Sequence, residues 1–144
     1  MDRFMKIAID EARQGINAGH GGPFGCVIVK GGRIVGQGHN EVVKQKDPTC
    51  HGEIMAIRNA CKEMGTFDLS GCELYTTAEP CPMCRGAILW ANIRRVYYGC
   101  NISAISTNDG YCSLYSRKTC DSSCSLPSLS SSFLMAFIAV LLLS

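Results

Sequence analysis

Two short segments far apart in the chain, His51-Gly52-Glu53 and Pro80-Cys81-Pro82-Met83-Cys84, restrict the folds open to this sequence, because their chemistry makes sense only if they meet. The first offers an imidazole and a carboxylate, the second two thiols at C-x-x-C spacing. His51, Cys81 and Cys84 together are three ligands of the kind zinc takes, one short of the four that close a structural site. A catalytic zinc leaves that fourth position to water and lowers its pKa to roughly 7. Glu53 need not bind the metal and is free to move a proton.

Two plainer readings compete. A redox C-x-x-C would leave His51 and Glu53 idle. A closed zinc knot would need Cys50 as fourth ligand, yet adjacent helical residues diverge around the axis. Thr49 has the character of an N-cap and Pro82 that of a first-turn proline. These signals put His51, Cys81 and Cys84 at or near two helix N-termini, whose positive dipole ends favour thiolates.

The spacing of Phe4, Ile7, Ala8, Ala12 and Ile16 predicts a helix with those residues on one side, ending near Asn17-Ala18-Gly19. Phe24 to Val29 reads as a strand, Gly31-Gly32 as a hairpin turn and Arg33 to His39 as the return strand. A second helix is expected from about Cys50 to Met64 with Ile54, Ile57 and Cys61 facing inward. Glu73 to Thr77 is a third strand, Pro82 to about Trp90 a third helix, and Arg95 to Tyr98 a fourth strand. Strands alternating with helices predict an α/β fold, a three-layer α/β/α sandwich around a mixed sheet. Both motif halves then fall where a strand or loop hands over to a helix, the usual ligand site of open α/β sheets.

The 144 residues, 47% apolar and 18% charged, suffice for one globular domain. A net charge of +2 is too small for a nucleic-acid footprint, so nucleic acid is not an expected partner. Met1-Asp2-Arg3-Phe4 leads into a helix pattern rather than an apolar signal region, and the ten cysteines are scattered among ordinary core positions. A reducing, cytoplasmic setting is expected, with Cys26, Cys61, Cys72 and Cys100 as small buried apolar residues. His20 and His39 lack a spaced partner and read as loop or strand-end residues, and Cys112, Cys120 and Cys124 as incidental. The expected division is a zinc-dependent domain over 1–110 and a Ser/Cys-rich tail over 111–144. The tail ends in the apolar run Phe133–Leu143, too short for the roughly 20 residues of a membrane span, so a membrane is not an expected partner. That run packs on the domain, has no designed role or, as the less expected alternative, serves as a C-terminal membrane anchor.

From about Phe4 to Cys100 the chain resembles the cytidine-deaminase-like superfamily, and within it the bacterial guanine deaminases. The resemblance rests on Gly21-Gly22-Pro23-Phe24-Gly25, Gly38-His39-Asn40, Asp47-Pro48-Thr49-Cys50-His51-Gly52-Glu53 and Glu79-Pro80-Cys81-Pro82-Met83-Cys84. H-x-E…P-C-x-x-C is the signature of zinc nucleobase deaminases. The resemblance implies a zinc-dependent hydrolase acting on a small purine base, with guanine yielding xanthine and ammonia, and a homodimer. It implies His51, Cys81 and Cys84 as zinc ligands and Glu53 as the proton shuttle. Asn40, Phe24, Trp90 and the Gly52 N–H would bind the base. Asn40 also reads as a turn residue holding its own backbone, Phe24 and Trp90 as core aromatics, and Glu79 as either support for the thiolates or a solvated carboxylate.

The chain departs from the family at Cys50 and Gly52, where Ala is usual. After Cys100 no carboxylate follows Gly110-Tyr111-Cys112-Ser113, where guanine deaminases carry an acidic closing segment. Two alternatives therefore stand beside guanine deamination. One is deamination of adenosine in tRNA or of another nucleobase, and the other a zinc-binding relative whose altered C-terminus has impaired turnover.

Overall fold

The computed structural model describes residues 2–100 and 118–119. The 1–110/111–144 division and the Phe133–Leu143 run lie outside the described residues. Helix α1 (Arg3–Asn17) is capped by Asp2, whose carboxylate accepts the Phe4 N–H at 2.8 Å. It leads into a hairpin of β1 (Gly25–Lys30) and β2 (Arg33–His39), and both turn glycines, Gly31 and Gly32, have positive φ. A four-residue helix α2 (Val42–Gln45), unforeseen in the sequence, precedes α3 (Gly52–Met64). Strand β3 (Cys72–Ala78), helix α4 (Pro82–Trp90), β4 (Arg95–Cys100) and the short β5 (Lys118–Thr119) follow.

The sheet runs β2-β1-β3-β4-β5. It is mixed, because β3 and β4 pair in parallel across the α4 crossover and the other neighbours are antiparallel. Alternation along β1 assigns the layers. Val27 and Val29 point to α1, packing with Met5, Ala8 and Tyr75. Cys26 and Ile28 point the other way, into a cluster with Ala56 and Ala60 of α3 and Ile88 of α4. Helices on both faces of a mixed sheet are the expected three-layer α/β/α arrangement.

Four local details differ from expectation. The buried face of α1 is Met5, Ala8, Glu11, Ala12 and Gly15, and Ile16 is 48% exposed, so the buried stripe is rotated toward Glu11. Helix α3 begins at Gly52 with His51 as its N-cap, and its buried face is Gly52, Glu53, Ala56 and Ala60, with Ile57 and Cys61 half-buried at its edge. Thr49 is not a cap. Its hydroxyl and N–H both donate to Asp47 Oδ1, at 2.7 and 2.8 Å, which holds the Asp47 carboxyl below its usual range and closes an Asx turn. Cys26 and Cys72 are buried as expected, whereas Cys61 is half-buried and Cys100 is half-buried and disulfide-bonded.

Helix α3 lies so close to β2 that an ideal Cβ on Gly36 would stand 2.5 Å from the Ala56 carbonyl oxygen and 2.6 Å from the Ala60 nitrogen. Both are backbone atoms of a helix and cannot move independently. Gly36→Ala should lower stability by about 1–3 kcal/mol, read as a fall in the urea midpoint. Gly86→Ala, in α4 with no atom within 4 Å of the added methyl, should instead raise the midpoint by the equivalent of about 0.4–1 kcal/mol.

Candidate metal centre

His51 and Cys81 are both helix N-caps, at the starts of α3 and α4, and Cys84 sits one turn into α4. Neither cap side chain is spent on its own helix, which leaves the imidazole and thiol turned toward each other. His51 Nδ1 lies 3.7 Å from Cys81 Sγ and 3.6 Å from Cys84 Sγ. A tetrahedral zinc with bonds of about 2.3 Å to sulfur and about 2.0–2.1 Å to nitrogen separates such atoms by roughly 3.6 Å. Both nitrogen–sulfur separations are therefore those of a zinc tetrahedron, and all three donor atoms lie within 4.8 Å of one another.

The electrostatics agree. Burial first, then the Glu53 charge and the neighbouring Cys81, push the Cys84 thiol far above its ordinary range when no cation is present. Cys26, beneath the site on β1, is also pushed up by burial and by the charges of Glu53 and Cys84. A divalent cation reverses this logic, since a coordinating thiol is deprotonated outright.

Glu53 is buried and stands beside the three donors without belonging to them. Its Oε1 accepts the Thr76 hydroxyl at 3.4 Å and its Oε2 the Cys84 thiol at 3.5 Å. Thr76 was missed by the sequence reading. Its signal was available, for it is a hydroxyl on the same β3 face as Cys72 and Leu74, which belong to the core.

Asn40 is buried at the end of β2, and its Oδ1 accepts the N–H groups of Gly22 at 3.3 Å and Val42 at 3.2 Å. It is thus a turn residue as well, and these two bonds fix the amide so that Nδ2 is left to donate. Gly21 is required here, because any Cβ would fall 2.0 Å from Asn40 Oδ1. Phe24 is half-buried, and its carbonyl accepts the Asn40 N–H at 2.8 Å. Gly52, the first residue of α3, carries an N–H that the helix does not consume. A Cβ there would meet the Phe24 carbonyl oxygen at 3.1 Å.

Trp90 is not brought together with these residues. It ends α4 at 85% exposure, roughly 12 Å along the helix from Pro82, in a shallow apolar depression with Phe67, Leu89 and Asn92. Cys50 is turned away from the metal donors, its thiol bonded at 3.4 Å to both Asp47 Oδ2 and Arg58 Nη1. Glu79 pairs with Arg85, whose Nε also binds the Pro80 carbonyl at 3.0 Å, bracing the turn that presents Cys81. His20 and His39, expected to be isolated, lie 2.9 Å apart.

Zinc must displace the Cys84 proton. That thiol lies above its ordinary range without metal and stays protonated across pH 6–8, so the apparent zinc affinity should rise with pH. A competition titration with a chromophoric chelator should give about tenfold per pH unit for each proton released. Cys84→Ala should lose the zinc of this centre and unfold at lower denaturant, checked by the loss of its thiolate-to-metal band with cobalt(II) and by a urea transition.

Residues 1–100 match the cytidine and deoxycytidylate deaminase zinc-binding region. The guanine deaminase of Bacillus subtilis is 54% identical over 97 residues, covering 67% of this chain and 62% of the relative. A tRNA-specific adenosine deaminase of Aquifex aeolicus is 44% identical over 95 residues, covering 66% of this chain and 62% of that protein. The chain thus spans about 62% of the length of either relative. A crystal structure of the Bacillus subtilis guanine deaminase superposes with a TM-score of 0.70 at 49% identity, covering 74% of this chain and 69% of that one. With that fold, three donors at zinc spacing and a family match over residues 1–100, the chain belongs to the cytidine and deoxycytidylate deaminase family, with zinc as its cofactor.

Proposed function

We propose that this protein is a zinc-dependent hydrolase converting guanine and water to xanthine and ammonia. The observation that carries the reading is Glu53, a buried carboxylate next to the three metal donors and anchored by Thr76. His51, Cys81 and Cys84 would hold the zinc, which supplies a water activated at neutral pH. Glu53 would hold and move the protons of the hydrolysis, giving one to the ring nitrogen beside the amino-bearing carbon and a second to the amine as its carbon–nitrogen bond breaks. The Asn40 Nδ2 amide donates to an acceptor on the purine, the Gly52 N–H to a substrate oxygen, and Phe24 borders the base. Trp90 takes no part in this reading.

Guanine is favoured over adenosine by the Gly21–Gly25 and Pro80–Cys84 segments and by the higher identity to the guanine deaminase relative. Adenosine in tRNA is the second reading, favoured by the tRNA-specific relative that matches over nearly the same length. An impaired zinc-binding relative is the third, motivated by the departures after Cys100. The proposal includes a homodimer, for which the exposed Phe67, Leu89 and Trp90 are candidate contacts. It also places the protein in the cytoplasm. Among the described residues no helix is long and apolar enough to cross a membrane.

Xanthine formation from guanine should be measurable with the zinc-loaded chain. Glu53→Gln should keep the zinc of the His51 centre and lose about 10²–10⁴-fold in kcat. Full activity in that variant would remove Glu53 from the mechanism. Zinc binding with no turnover of any base would favour the impaired relative. For the tRNA reading, a gel-shift titration at increasing salt should show no salt-sensitive complex, and a steep salt dependence would overturn the guanine assignment.

A further inference from the structure

All three histidines of the chain lie in clusters of potential metal ligands, and only His51 belongs to the centre described above. His20 Nδ1 stands 2.9 Å from His39 Nε2, and Glu41 Oε1 3.6 Å from the same nitrogen, with all three atoms within 4.8 Å of one another. On its other side the His39 ring meets a carboxylate, for Nδ1 lies 3.0 Å from Glu11 Oε2. Glu11 is buried in α1 and oriented by the Gln37 amide, which donates to Oε1 at 2.8 Å. A carboxylate at Nδ1 fixes the proton there and turns the Nε2 lone pair outward, the arrangement that prepares a histidine for a metal. That lone pair accepts a proton from His20 Nδ1 across the 2.9 Å gap, and it is this shared proton that an ion would displace.

We propose that His20 Nδ1, His39 Nε2 and Glu41 Oε1 form a second metal site, separate from the His51 centre, for a zinc-class divalent ion. With the His20 and His39 rings turned off their present line, bonds of about 2.0–2.2 Å would bring the three atoms into a three-ligand site with an open position. Two imidazoles and one carboxylate suit zinc, cobalt or nickel rather than magnesium or calcium. Glu11 is a positioning residue, acting through the His39 ring.

The site would act on the purine pocket through the backbone. The His20 carbonyl accepts the N–H groups of Val43 and Lys44, at 3.0 and 3.1 Å, and the Glu41 N–H donates to the Cys50 carbonyl at 2.9 Å. The ligands therefore tie together the loop before Phe24, the end of β2 that carries Asn40, and the segment leading to His51. Lys44 opposes the ion, because its Nζ already binds Glu41 Oε1 at 2.9 Å.

Cobalt(II) titration of the reduced full chain separates the two sites. The first equivalent should bring the near-ultraviolet thiolate-to-metal band of the Cys81/Cys84 centre, and a second should bind with no such band. His20→Asn should keep the first equivalent and its band and lose the second, with an unchanged circular dichroism spectrum. Lys44→Ala should tighten the second equivalent by about two- to fivefold, the worth of one exposed ion pair. Saturation at one equivalent in the unaltered chain, a thiolate band on the second, its survival in His20→Asn or its indifference to Lys44→Ala would each overturn the proposal. Loss of the first equivalent with the second intact would instead count against the His51 centre alone.

Discussion

The arrangement around His51 is held together by a charge problem that only a cation solves. Two thiols and a carboxylate converge on one dry point between two helix ends, and burial together with the Glu53 charge keeps the Cys84 proton in place until a metal arrives. Hydrogen bonds settle only part of this, since Thr76 serves Glu53 and the Glu79–Arg85 pair serves the Pro80 turn. Helix dipoles contribute in the same direction, because His51 and Cys81 are the N-caps of α3 and α4. Metal binding then replaces the Cys84 proton with a charge that the two thiols and the carboxylate favour, and so adds to the stability of this corner.

The sheet makes that convergence possible. Strand β3 carries the chain to the Pro80 turn, and β2, which runs in the same direction because both are antiparallel to β1, carries it toward α2 and His51. Strand β1 lies between β2 and β3, and its Cys26 fills the floor beneath the site with a small apolar side chain. Close backbone packing at Gly36 lets α3 sit low enough on the sheet for Glu53 to reach Thr76. The donor distances are thus set by strand order and helix depth as much as by the motif residues.

The sequence announced the metal corner and the layer order because both depend on local spacing. His51-x-Glu53, Cys81-x-x-Cys84 and the proline after Cys81 fix helix starts within a few residues, and strand alternation in β1 assigns faces. What it concealed depends on contacts across the sheet. Helix α1 turns its Glu11 inward because Gln37 and His39 of β2 wait there to bind it, and no periodicity of α1 alone could show that. Thr49 looked like a cap, yet Asp47 captured its hydroxyl first, since an Asx turn satisfies the backbone one residue sooner than a helix would. Trp90 reads as a pocket wall or a core aromatic, and the core reading fails because the end of α4 leaves it 85% exposed.

The same reasoning explains why Asn40 supports two readings at once. An asparagine that only held a turn would need no particular freedom at Nδ2, and one that only met a ligand would need no backbone clamp. Here Oδ1 is consumed by Gly22 and Val42, and Gly21 has no side chain to obstruct it. The turn bonds are therefore what orient the remaining donor. A flexible loop would lose that orientation to rotamer entropy each time a ligand bound, whereas an amide already clamped by two backbone groups has lost most of it on folding.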